Sequence, residues 1–250
     1  DDVRRGAAQS AYQIWVGIDS MGLLQGKGLA WTSGKILSSQ TLVAYAGKPL
    51  PAFSKFYWAV VAWGSDGQRS VSTTAHFETG VMYASNWKGA WISDTRDVKI
   101  KPAPYFRKTF DTAKKVKSAR AYIAVAGLYE LSINGQIIGN HRLDPMYTRF
   151  DRRTLYVTHD VTTQLQQGKN AIGVLLGNGW YNHQSTAVWY FHEAPWRSRP
   201  TFCLDLRITY TDGWHHTCAR SACNAGVFPD DTRSQDGVDA AEATCACVAS

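Results

Sequence analysis

With 250 residues, 44% of them hydrophobic and 12% aromatic, the chain has apolar surface enough for one large or two ordinary domains. Its formal net charge of +7 is not massed on one motif. The basic stretch over residues 96–120 matches no nucleic-acid-binding module and reads as a solvated strand edge and loop. No run approaches the roughly 20 apolar residues that span a bilayer, so nucleic-acid-binding and membrane-spanning functions are set aside.

The first residues, Asp1-Asp2-Val3-Arg4-Arg5, carry neither Met nor an apolar leader. They read as a start inside a longer frame or after processing. From there the pattern is one of short strands separated by turns, which predicts an all-β protein. Strands are expected over 12–17, 41–46, 56–63 and 70–77, the last two paired as a hairpin across Gly64-Ser65-Asp66-Gly67. The segment 56–63 is apolar on both faces, as a central strand must be. This first unit, 1–80, resembles a fibronectin type III-like sandwich that lacks its first strand.

A polar linker around Ser85-Asn86 opens a second domain over 85–217. Strands are expected there over 103–111, 119–126, 129–133, 136–139, 154–157, 171–176 and 202–210. Asn134-Gly135 is the strongest hairpin signal in the chain. Asp160 should cap a short helical turn that Gly168 stops. Strands at this spacing fit a jelly-roll sandwich better than a closed barrel.

Composition changes after about Thr217. Of the five cysteines, Cys218, Cys223, Cys245 and Cys247 fall in the last 33 residues, leaving Cys203 as a small buried hydrophobe in a strand. Residues 218–250 read as a disordered tail or as the product of a reading frame lost after Gly213. His183, His192, His215 and His216 have no zinc spacing with Cys218. Neither a phosphate-cradling glycine motif nor a Gly-x-Ser-x-Gly elbow is present.

Five segments in order, "NWKGAWIS", "APYFRKTF", "AGLYELSINGQIIGNHRLDP", "DVTTQLQQGKNAIGVLLGNGWY" and "LDLRITYTDG", resemble the N-terminal β-sandwich of bacterial α-L-rhamnosidases, glycoside hydrolase family 78. The resemblance covers roughly residues 85–213. It implies hydrolysis of terminal α-L-rhamnose by an acid and a base on an (α/α)6 barrel that this sequence lacks. None of the four glutamates, Glu78, Glu130, Glu193 and Glu242, sits in a catalytic-looking motif. The chain is therefore expected to be an inactive accessory fragment, periplasmic or extracellular, whose partners are rhamnose-containing glycans and the missing barrel. A lectin or adhesion module and a complete small glycosidase are the rival readings.

Related sandwich modules of carbohydrate-binding family 67 recognise rhamnose with calcium, which makes calcium a candidate cofactor here. A sugar site needs an aromatic platform and a few amides or carboxylates. The loop with Asn178, Trp180, Tyr181 and Asn182 offers both, unless the two rings only plug the sandwich end. Asn140, Asp144 and Asp151 are the calcium candidates, with Asn134 serving as the turn residue and Asp151 an alternative partner for Arg152 or Arg153. Trp189, Tyr190, Phe191 and Trp196 form an aromatic run expected to pack against another domain rather than to stack on sugar.

Overall fold

The computed structural model describes residues 6–102, 104–186 and 189–219. It divides into two compact units, Asp1–Asn86 and Trp87–Ser250, both built from antiparallel strands. The all-β expectation holds. No helix among the described residues is long and apolar enough to cross a membrane.

The first unit holds a five-stranded sheet of β1 (Gln9–Gly17), β2 (Leu29–Thr32), β3 (Lys55–Gly64), β4 (Arg69–Val71) and β5 (Ala75–Glu78), in the order β2-β1-β3-β4 with β5 also on β3. As its two-faced apolar sequence requires, β3 is central. One face carries Ala59 and Val61 against Trp15 and Leu23, and on the other Phe56 stacks on Phe77 at 5.5 Å. Leu23 comes from a short helix, α1 (Ser20–Leu24), whose first turn is capped by Asp19 accepting from the N–H groups of Met21 and Gly22.

Two expectations for this unit are corrected. Residues 41–46 form no strand, because β1 already pairs on both sides, with β3 on one and with β2 and Ile36 on the other. The expected strand 70–77 is two strands, because the Ser72 hydroxyl accepts the Val60 N–H at 3.0 Å and donates to the Thr73 carbonyl. A side chain thereby replaces a ladder bond and breaks the strand.

The second unit is a sandwich of two four-stranded sheets. One runs β10 (Tyr156–Asp160), β7 (Val116–Ala126), β12 (Thr201–Tyr210), β13 (His215–Ala219). The other runs β6 (Tyr105–Thr112), β11 (Gly168–Gly177), β8 (Leu128–Ile133), β9 (Gln136–Ile137). Period-2 alternation sends Ala121, Ile123 and Val125 of β7, Leu206 and Ile208 of β12, Leu131 and Ile133 of β8, and Val174 and Leu176 of β11 into one core. Asn134 and Gly135 both have positive φ, 50° and 80°, as a two-residue hairpin turn demands. The Asn134 amide also ties the turn down, donating to the Gln164 carbonyl and to Asn170 Oδ1 and accepting the Ala171 N–H. Asp160 Oδ1 accepts the Thr162 N–H at 3.0 Å, but the N-cap position of the following 3-10 turn is Val161, not Asp160 as expected.

On the outer face of β12, Asp205 is fully buried beneath the segment that opens the unit. Its carboxylate accepts the Lys88 and Gly89 N–H groups at 2.9 and 2.8 Å. Gly89 has no room for a side chain, since a Cβ there would lie 3.0 Å from both Asp205 Oδ1 and the Leu204 carbonyl oxygen. This close approach accounts for "WKGAW".

Boundaries also move: β10 runs Tyr156–Asp160 rather than 154–157, and β11 begins at Gly168, expected as the stop of the helical turn. The hairpin strand ends at Ile137 rather than Gly139, and Gly139, with φ of 77°, turns the chain beneath His159. At the other end β13 continues to Ala219, pairing Cys218 with Leu206, so Cys218 packs on the core instead of starting a tail. The sequence hid this strand because His216 takes an inward, buried position where an aliphatic residue is the usual signal. Residues 220–250, on which the rest of the tail reading falls, lie outside the described residues.

Candidate functional site

A cavity of about 170 Å³ opens at one edge of the sandwich, where β8 and β9 of one sheet face β10 of the other. Its polar lining includes Tyr129, Glu130, Asn140, His141, Arg142, Asp144, Thr158 and His159. Tyr129 Oη and His159 Nε2 lie 2.8 Å apart. Burial, aided by the nearby Asp144 charge, pushes the Tyr129 phenol above its ordinary range. Burial also lowers His159, against an opposing pull from Asp144 and with a further push from His141. A neutral phenol and a neutral imidazole therefore share this hydrogen bond at neutral pH. Toward the rim, Arg142 Nε stands 3.5 Å from Glu130 Oε1, and His141 Nδ1 stands 3.5 Å from Asp144 Oδ2.

The calcium candidates do not come together. Asn140 and Asp144 line this cavity, but Asp151 is held by Arg149 in a two-pronged pair at 2.9 and 3.0 Å. It is Arg149, not the expected Arg152 or Arg153, that takes this carboxylate. Among the described residues no group of three or more His, Cys, Asp or Glu side chains is placed to hold a metal ion. Calcium takes six to eight oxygens, and these three residues do not form such a set.

The other sequence candidates divide by role. Asn182 is fully buried: its Nδ2 donates to the Val98 carbonyl and to Asn178 Oδ1, and its Oδ1 accepts from Arg197 Nε at 3.1 Å. Asn178 Nδ2 donates to the Lys101 carbonyl at 2.6 Å. Both amides are thus engaged in holding the loop rather than turned toward solvent. Tyr181 is half-buried against Phe150, and burial raises its phenol although Ser198 bonds it. Trp180, by contrast, is 40% exposed, with His183 stacked on it at 5.2 Å and Phe191 edge-on at 5.4 Å.

Sequence reasoning missed Arg142, which lies two residues from Asn140 on the same loop, and missed His159 and discarded Glu130 because strand pairing alone brings those two beside Asn140. It also missed the buried pair Arg199–Asp94, 2.7 Å apart, which anchors the residues leading into β6.

Comparison with known proteins follows the two units. Residues 114–222 match the family described as Alpha-L-rhamnosidase N-terminal domain. Residues 1–83 match Rha78A-like, N-terminal immunoglobulin domain, where the sequence suggested a fibronectin type III-like sandwich. The chain is 34% identical over 238 residues to an α-L-rhamnosidase of Formosa agariphila, covering 83% of this chain and 25% of that protein. It is 33% identical over 216 residues to one of an Alteromonas species, covering 82% and 23%. The solved α-L-rhamnosidase of Dictyoglumus thermophilum superposes with a TM-score of 0.78 at 33% identity, over 88% of this chain and 26% of that one. That of Aspergillus terreus gives 0.71 at 28% identity, over 88% and 25%. The chain thus spans about a quarter of the length of the relatives it matches. Residues 114–222 thus carry the N-terminal domain described for α-L-rhamnosidases, preceded by a Rha78A-like N-terminal immunoglobulin domain.

Proposed function

We propose that this region serves an α-L-rhamnosidase as a carbohydrate-contacting accessory part, and that the cavity beside β9 and β10 receives a rhamnose unit of the glycan. The observation that carries the reading is the cavity itself. It is roughly the size of one sugar ring, and its wall presents an amide, two carboxylates and a guanidinium beside the apolar Ile138. Such a mixture suits a sugar, whose hydroxyls need both donors and acceptors while its C–H face needs apolar contact. Cleavage of the rhamnoside belongs, in this reading, to the part of the relatives that this chain does not span. Glu130 and Asp144 already have Arg142 and His141 as neighbours, which suits carboxylates that orient hydroxyls.

Calorimetric titration of the chain with L-rhamnose tests the proposal, alongside a hydrolysis assay on an aryl α-L-rhamnoside. Binding that Arg142→Ala weakens, with no turnover, is the expected result. Unchanged binding in Arg142→Ala and Asn140→Ala would remove the cavity from consideration, and turnover above blank would replace the accessory role by a catalytic one.

A further inference from the structure

Three residues beyond Asp144, the loop that walls the cavity sets the Tyr147 ring 5.5 Å from Phe191. Phe191 in turn meets Trp180 at 5.4 Å and Trp189 at 5.8 Å. Three residues of chain reach at most about 11 Å, so Tyr147 lies within that distance of Asp144 in the cavity wall. The cluster has an inner and an outer layer. Phe150, Phe191 and Trp196 pack behind, while Tyr147, Trp180 and Trp189 stand 44%, 40% and 66% exposed.

Resting on the reading of the cavity as a sugar site, we infer that Tyr147, Trp180 and Trp189 form a stacking platform that extends this site to further sugar rings of an oligosaccharide. The rings of Trp180 and Trp189 are inclined at 60° with centroids 5.8 Å apart, so they offer two non-coplanar faces. That arrangement suits a chain of rings that turns from one unit to the next. It does not suit a flat polycyclic ligand, which needs coplanar faces. Polar pairs flank the rings in sequence, Arg149 with Asp151 and His183 with Ser185, the latter at 2.8 Å. These supply partners for hydroxyls that a purely apolar docking face would lack. The loop is also held before any ligand arrives, since Asn178 and Asn182, which flank Trp180 in sequence, are hydrogen-bonded to each other and Asn182 to Arg197. Rings fixed in this way lose little freedom on binding.

The test compares L-rhamnose with a rhamnose-terminated trisaccharide by calorimetry, on the full chain and on its Trp180→Ala, Trp189→Ala and Trp180→Phe variants, with melting curves to confirm folding. The platform predicts that the trisaccharide binds roughly tenfold tighter than the monosaccharide, about 1.4 kcal/mol. Either alanine variant should erase that gain without altering monosaccharide affinity, and Trp180→Phe should restore most of it. Equal affinity for the two sugars, or a gain that survives both alanine substitutions, would overturn the platform while leaving the cavity in place. Binding of neither sugar would overturn both. A concentration-dependent dimer dissolved by Trp189→Ala, with no trisaccharide gain, would make the rings a protein-docking face instead.

Discussion

Arg199 grips Asp94 with two parallel hydrogen bonds, Nε to Oδ1 and Nη2 to Oδ2, both 2.7 Å long, in side chains only 5% and 1% exposed. The guanidinium also donates to the carbonyls of Ile100 and Pro102, at 2.6 and 2.9 Å. One side chain therefore fastens residues 94–102 to the start of β12. Those are the carbonyl-bearing residues to which Asn178 and Asn182 reach.

Removing one half of this pair leaves the other charge buried and unmatched, which in comparable cases costs about 3–5 kcal/mol. Arg199→Met should accordingly lower the stability of the second domain by roughly that amount in urea unfolding. The double variant Arg199→Met, Asp94→Leu should lose less than the sum of the two single changes. Additive losses would show that the pair is not coupled in the way its geometry indicates.

Asp205 makes the opposite kind of prediction. Its carboxylate accepts two backbone N–H bonds, which favour the ionised form, yet burial is the larger influence and raises the group above the ordinary 3.8. A carboxyl whose folded pKa is raised contributes stability that is complete below the ordinary value. That contribution is lost as pH climbs through the raised one. The contribution of Asp205 should therefore fall as pH rises from about 3.8, and Asp205→Asn should flatten that part of the stability curve. The amide has one acceptor oxygen for two N–H groups, so the variant should also lose about 1–3 kcal/mol at neutral pH. Denaturation midpoints measured across pH separate the slope from the offset.

His159 titrates the other way. Burial in the cavity wall holds its folded value below the ordinary 6.5, so its contribution is complete above that pH and is lost as pH falls through the lowered value. Acidification should make His159 Nε2 a donor to the Tyr129 hydroxyl, place a positive charge in the cavity wall and, on the proposed reading, weaken sugar binding in the same window. Nuclear magnetic resonance of the His159 ring carbons checks the first part. A titration midpoint at or above 6.5 would contradict it.

What the sequence disclosed follows from how local each signal was. Asn134-Gly135 announced its hairpin because both residues must adopt positive φ, and β7 announced itself by a continuous apolar run, Ala121 to Ala126, buried on both faces. β13 stayed hidden because a histidine fills its inward position, and α1 because only Asp19 and Leu23 mark so short a helix. The site was half visible for the same reason. Asn140 and Asp144 sit on one loop and could be singled out, but Glu130 and His159 reach the cavity only through pairing in two different sheets. Asn178 and Asn182 looked like sugar ligands because exposure cannot be read from spacing.

That last distinction yields the sharpest contrast between two residues two positions apart on one loop, Trp180 and Asn182. Asn182→Ala removes three side-chain hydrogen bonds from a fully buried position and leaves Arg197 Nε and Asn178 Oδ1 without this partner, while the Val98 carbonyl keeps its bond from Gln184 Nε2. Each buried group so exposed costs about 1–3 kcal/mol, so the variant should melt well below the parent chain. Trp180→Ala removes a ring already 40% open to solvent and should lower stability far less. If Trp180 serves as a platform, the same change should reduce oligosaccharide affinity most. Thermal melting and calorimetry on the two variants should therefore rank them in opposite orders. If both assays rank them alike, the division of this loop into a buried scaffold and an exposed contact surface fails.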